Sequence, residues 1–197
     1  MLGYLERLDH TLFFAINNGL SASPLAPVLD SVFWLLGTLG NGTGMLCWTL
    51  TVLWFFDRKA LKTHWVWLIL NVIIGAVIMQ SLKYGIARPR PLTAFAPLLA
   101  AEERMIHVVG EALQYRSFPS GHAQATASVF TYLCCLYPRY AVWWIMGIVL
   151  AGLGRIYVGA HFPADVLAGT CLGCLSALAT MALQRRWARR HGSGVTL

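Results

Sequence analysis

The stretch WVWLILNVIIGAVIMQSL, Trp65 to Leu82, carries no charged side chain. As a helix rising 1.5 Å per residue it is about long enough to cross the ~30 Å hydrocarbon core of a bilayer. Outward from it, Ala123–Tyr137, Ala141–Ile156 and Ala164–Leu183 repeat the pattern, with charges only at Arg155 and Asp165. A further apolar run covers Met45–Phe56. The Tyr137-Pro138-Arg139-Tyr140 break between two of these runs suits a tight helical hairpin. The expected fold class is therefore all-α: a polytopic membrane helical bundle of five or six transmembrane helices.

Composition agrees. Of 197 residues, 57% are hydrophobic and 12% charged, with mean hydropathy +0.61, against about 25% charged in an ordinary soluble domain. No composition break, internal repeat or low-complexity tract divides the chain, so residues 1–197 are expected to form one domain. A net charge of +7 in so apolar a chain points to membrane topology before nucleic acid, and no nucleic-acid partner is expected. The five cysteines, Cys47, Cys134, Cys135, Cys171 and Cys174, all lie inside apolar runs. Their odd number argues against a disulfide framework. Cys171-x-x-Cys174 has no second pair and sits mid-span, so it reads as buried filler and not as a metal or redox site.

Near the N-terminus, Leu5, Leu8, Leu12 and Ile16 share one helical face, with Glu6, Asp9, His10 and Asn17 mostly elsewhere. That pattern predicts an amphipathic interfacial helix, and the polar interruptions mean that no cleavable signal is expected. Leu25–Leu39 is a candidate short first span, ended by the breaker Gly40-Asn41-Gly42. Arg58, Lys59, Lys62, Arg139, Arg185, Arg186, Arg189 and Arg190 fall on one side if the later runs all cross, which makes that side and the C-terminus cytoplasmic. The opposite side receives the segment Lys83–Ser120 and the turn Arg155–Pro163. In that segment Ala100–Leu113 is rich in helix-forming residues, and a helical surface lid is expected there. Gly169, Gly173 and Ala177, four residues apart, predict a small-residue face for close helix packing.

Three polar clusters gather at span ends on that opposite side. LKYGIARPRP, Leu82–Pro91, crowds Lys83, Arg88 and Arg90 where the prolines stop a helix. Basic residues at a boundary commonly snorkel to headgroups; the Lys83-x6-Arg90-Pro91 spacing, beside the other two clusters, argues for binding. In RSFPSGHAQATASVF, Arg116–Phe130, Ser120 suits an N-cap and Gly121 permits close approach to the backbone. The free N–H groups of that helix start favour an anion, with His122 in the first turn beside it. GRIYVGAHFPADV, Gly154–Val166, closes a span with Arg155, places His161 in the turn and sets Pro163 in the next first turn. Asp165 follows His161 by four residues, within reach of its ring. Converging cations describe a phosphate pocket. Two histidines allow a neutral nucleophile and a protonated acid, and an aspartate bonded to the first would fix its tautomer. Arg88 and Arg116 read as solvated surface ahead of any contact with a second phosphate or headgroup.

Taken in order, Lys83-x6-Arg90-Pro91, Pro119-Ser120-Gly121-His122 and Arg155-x5-His161-x3-Asp165 resemble the three-part signature of the type 2 phosphatidic acid phosphatase family, related in core fold to vanadium haloperoxidases. The resemblance covers about Trp65–Leu183. It implies that His161 attacks phosphorus to form a phosphohistidine, that Asp165 orients it and that His122 protonates the leaving oxygen. It further implies that Lys83, Arg90, Ser120, the Gly121 N–H and Arg155 hold the phosphoryl oxygens, with no metal or other cofactor. Gly154 stands where the family usually has serine, so the hydroxyl that serine would bring to the phosphate is missing.

The expected protein is an integral-membrane phosphatase acting on a lipid phosphate or pyrophosphate at the outer face of a bacterial-type inner membrane. By resemblance, undecaprenyl diphosphate is the first substrate and phosphatidylglycerophosphate the second, with lipid A 1-phosphate and phosphatidic acid as further candidates. A lipid phosphotransferase shares the same first half-reaction. A non-enzymatic headgroup-binding membrane protein is the alternative from another class.

Overall fold

A computed structural model describes residues 2–191; residues 192–197, and with them the expectation for the C-terminus, lie outside the described residues. The described chain is helical without strands. Its elements are α1 (Leu2–Ser21), α2 (Ala26–Leu39), α3 (Gly42–Phe56), α4 (Arg58–Ile86), the short α5 (Pro91–Ala94) and α6 (Ala96–Ala100), α7 (Gly121–Leu136), a 3-10 turn (Pro138–Tyr140), α8 (Ala141–Tyr157) and α9 (Pro163–His191). Local chemistry sets the boundaries. Asn41 accepts from the Gly44 N–H to start α3, Asp57 from the Ala60 N–H to start α4, and Ser120 from the Ala123 N–H to start α7.

Three helical stretches among the described residues are long and apolar enough to cross a membrane: Arg58–Ala100, Pro138–Tyr157 and Pro163–His191. At 15 and 16 residues, α3 and α7 are shorter than the ~20 that a bilayer core asks for. The α1–α2 pair is bent by 119°. The five or six expected spans thus map onto three long helices, two shorter ones and a bent pair.

At the centre stands α7, in which every residue from Ala123 to Val129 is buried. Because protein surrounds it, α7 carries Gln124, Thr126 and Ser128 where a lipid-facing helix would not. Its closest partner is α9. A Cβ at Gly169 would strike the Ser120 carbonyl, and one at Gly173 the Gln124 carbonyl; the small-residue face is a backbone-to-backbone contact, as its spacing predicts. The periphery is apolar instead: Val142 is 74% exposed, Leu167 66% and Val77 61%. Such a surface suits lipid, since a soluble protein rarely exposes a large contiguous apolar patch. The five cysteines are free, with Cys47, Cys135 and Cys171 on the outer surface, so the reading of Cys171 as buried filler is corrected.

The N-terminal helix is amphipathic, as its periodicity predicts. On α1 the Leu5, Leu8 and Leu12 row is turned outward, while Asp9, Phe13 and Asn17 are buried against the bundle. An apolar face turned to lipid and a polar face turned to protein is the membrane inversion of the soluble pattern. The expected helix over Ala100–Leu113 is absent; helix occupies 91–100, and the chain beyond it is largely irregular. Helix propensity is a weak prior, and tertiary bonds override it here. The Asn17 amide clamps the His107 backbone at 2.8 and 2.9 Å, Asp30 holds the His107 ring at 2.7 Å, and the Gln114 carbonyl accepts from the Arg90 N–H and the Thr93 hydroxyl.

Candidate active site

The site lies at the end of the bundle where α4 finishes and α7 and α9 begin. Ala87 closes α4 in the left-handed conformation (φ 48), and Pro89 then prevents helix, so the chain turns back over the bundle and Arg90 enters as the N-cap of α5. Arg90 is buried and fully directed. Its Nε donates to the Tyr115 carbonyl at 2.8 Å, and its Nη1 donates to the Ala160 carbonyl at 3.0 Å and faces His161 Nε2 at 3.3 Å. A guanidinium can only donate. His161 Nε2 therefore presents its lone pair towards Arg90, and Nδ1 carries the proton.

His161 sits in the turn between α8 and α9 and is 2% exposed. Its Nδ1 faces Asp165 Oδ2 at 3.8 Å, beyond hydrogen-bond length, and the Ser117 hydroxyl at 3.5 Å. Ser117 in turn donates to Asp165 Oδ2, which also accepts from the Phe162 N–H at 2.9 Å. The orienting contact expected between Asp165 and His161 is thus shared with Ser117. Asp165 Oδ1 accepts from Arg88 Nη1 at 2.6 Å, and the other arm of Arg88 reaches Asp9 Oδ2 at 2.7 Å. Arg88 is an internal brace and not solvated surface. Burial pushes the His161 pKa down to about 3, opposed by its contact with Asp165 and reinforced by the charge of Arg90. A base whose folded pKa is depressed stays neutral above that pKa, so His161 Nε2 is unprotonated at physiological pH.

Around this nitrogen the other predicted residues assemble. Lys83, in the last turn of α4, lies over the start of α7: a Cβ at Gly121 would be 4.0 Å from its ammonium and 3.2 Å from Met79. Ser120 is fully buried, its Oγ occupied as the acceptor that caps α7 and its N–H bonded to the Asp165 carbonyl at 2.9 Å. Its hydroxyl proton remains available to an anion. Arg155 packs its guanidinium against Gly37 of α2, and its buried Nε has no hydrogen-bond partner among the described residues. His122, in the first turn of α7, has its ring 3.7 Å from where a Gly40 Cβ would stand. Burial, reinforced by the charge of Arg155, pushes its pKa down to about 4, so it takes up a proton only once an anionic phosphate lies beside it. Lys83, Arg90, Arg155, Ser120, Gly121, His122, His161 and Asp165 are brought to one place. Arg116 takes a left-handed conformation (φ 57) with its guanidinium 4.1 Å over the Tyr84 ring. Sequence reasoning missed Ser117 and Asp9 and gave Arg88 the wrong surroundings; no spacing rule links any of them to His161.

Gly154 has a structural reason. A Cβ there would lie 2.6 Å from Cδ1 of Phe33, whose ring fills the space a serine side chain would enter. Gly154→Ser is expected to destabilise the fold by about 1–3 kcal/mol through overpacking, read as a lower Tm. Phe33→Leu in the same chain should recover most of the loss.

Among the described residues no group of three His, Cys, Asp or Glu side chains converges to hold a metal ion. A sequence profile of the PAP2 superfamily matches residues 64–189. The chain is 31% identical to the lipid A 1-phosphatase of Rhizobium johnstonii over 194 residues, covering 86% of this chain and 72% of that one. It is 33% identical to the undecaprenyl-diphosphatase of Sulfolobus acidocaldarius over 109 residues, covering 54% and 48% respectively. The crystal structure of Aquifex aeolicus LpxE superposes with a TM-score of 0.71 at 30% identity, covering 89% of this chain and 95% of that one.

Proposed function

From the premise that this chain belongs to the PAP2 superfamily and is a membrane protein related to lipid phosphatases, we propose that it hydrolyses a lipid phosphate through a phosphohistidine at His161 Nε2, without a metal ion. The observation that carries this reading is the directed lone pair of a buried, neutral His161 beside Arg90.

In the first step the Nε2 lone pair attacks phosphorus and the P–O bond to the lipid breaks. His122 gives its proton to the departing oxygen. The Nδ1 proton faces the Ser117 oxygen, whose hydroxyl is bonded to Asp165, and that carboxylate stabilises the positive charge that develops on the ring. Arg90, Arg155, Lys83, the Ser120 hydroxyl and the Gly121 N–H receive the charge spread over the equatorial oxygens. In the second step His122, now neutral, takes a proton from water as its oxygen attacks phosphorus. The N–P bond breaks and inorganic phosphate leaves. A site built from span ends lets the acyl or prenyl chains remain in lipid while the headgroup enters. We place that site at the periplasmic or outer face of an inner membrane, since the end of the bundle bearing Arg139 and Arg185–Arg190 is the more basic.

For the substrate, a lipid A 1-phosphate-type headgroup is favoured over the expected undecaprenyl diphosphate. The relative named for the former matches most of both chains, and the one named for the latter about half. One panel tests this: phosphate release in detergent from lipid A, undecaprenyl diphosphate, phosphatidylglycerophosphate and phosphatidic acid. Lipid A is expected to give the highest kcat/KM by about tenfold or more, the scale of a tight site's preference. The same rates should persist with EDTA and fall with vanadate, which mimics the five-coordinate phosphorus. Chelator-sensitive activity would overturn the metal-free reading.

A further inference from the structure

The family match begins at residue 64, yet the N-terminal helix reaches the reacting centre. Asp9 lies on the inward face of α1, 7% exposed, with both carboxylate oxygens engaged. Oδ1 accepts from the Ala164 N–H at 2.8 Å, at the start of α9, and Oδ2 accepts from Arg88 Nη2 at 2.7 Å. The second arm of the same planar guanidinium donates to Asp165 Oδ1 at 2.6 Å. Arg88 is a rigid fork divided between two carboxylates, and its Cζ rests 4.2 Å over the Phe162 ring. The remaining oxygen of Asp165 is the one facing His161. Rotation of Arg88 would therefore rotate the carboxylate that orients the histidine. Buried ion pairs contribute little net stability once desolvation is counted. What this pair does well is hold one geometry.

We propose that Asp9 is a positioning residue for the reaction: through Arg88 and the Ala164 N–H, α1 fixes Asp165, and with it the ring of His161, against the phosphate. The proposal rests on His161 being the nucleophile. It makes α1 part of the active-site scaffold, in addition to an apolar face for lipid.

Asp9→Asn tests it with little disturbance of shape. The asparagine keeps an acceptor for the Ala164 N–H but offers Arg88 no charge. In purified full-length protein with the best lipid of the panel, kcat is expected to fall about 10- to 100-fold, the scale of a small misplacement of the reacting groups. KM and inhibition by vanadate should stay within about threefold, since the phosphate-holding cations are untouched. Arg88→Gln should behave alike, and the double variant no worse than Arg88→Gln alone, because both act through one contact. Phe13→Ala, on the same buried face of α1, is the structural control: a lower Tm with kcat within about threefold. Full kcat in Asp9→Asn, additive losses in the double variant, or an equal kcat loss in Phe13→Ala overturns the proposal. His161→Ala assayed alongside separates the two readings. If it still turns over, the nucleophile is wrong; if it is inactive while Asp9→Asn is fully active, only the positioning role falls.

Discussion

His161→Ala is expected to lower phosphate release from a lipid phosphate by on the order of 10⁴-fold or more, the scale seen when a covalent nucleophile is deleted from a site whose parts act as a unit. The ring is 2% exposed but lies in the turn between α8 and α9, outside the helices that carry the apolar core, so the variant should fold. Arg90, Lys83 and Arg155 remain to bind phosphate, and inhibition by vanadate should survive within about tenfold. Rapid quench with radiolabelled substrate should trap an acid-labile, base-stable phosphoenzyme in the wild type and none in the variant. A phosphoenzyme that persists without His161 assigns the nucleophile elsewhere. Turnover that persists without any phosphoenzyme means direct attack by water.

His122→Ala should have the second largest effect, about 10²- to 10⁴-fold on lipid substrate, the usual worth of a general acid–base. What distinguishes a proton donor from a phosphate ligand is dependence on the leaving group. With p-nitrophenyl phosphate, whose oxygen leaves without a proton, the first step should be nearly unaffected. The second step still needs a base. The variant should then show a burst of nitrophenolate equal to the enzyme present, followed by slow release of phosphate. An equal loss with both leaving groups, and no burst, would make His122 a binding residue.

Read from the sequence, the fold was legible wherever the signal is local. Uncharged runs mark the long helices, Ser120 caps α7 as its side chain suggests, and Gly169 and Gly173 face the α7 backbone as their spacing requires. The lid was misread for the opposite reason. Ala100–Leu113 has helix-forming composition, but its backbone partners are Asn17 and Val158, far along the chain. On α1 the leucine row faces outward, the sense an interfacial helix requires; that Asp9, Phe13 and Asn17 pack against the bundle was not legible, because periodicity says which residues share a face and not what covers it.

The same division holds in the site. By itself the sequence determined the set of groups: three cations, two histidines, an aspartate and a helix start, each near a span end where proline, serine or glycine interrupts an apolar run. Helix hydrogen bonding and capping act within about four residues, so such positions are written locally. Only the tertiary structure decided how the groups are arranged. It aims His161 Nε2 at Arg90 across 71 positions, inserts Ser117 beside His161 from 44 positions away and bonds Asp9 to Ala164 across 155. It also fills with Phe33 the space that Gly154 leaves. Contacts between residues so far apart follow from how whole helices pack, and packing depends on every side chain at the interface at once. No short stretch of sequence carries that information.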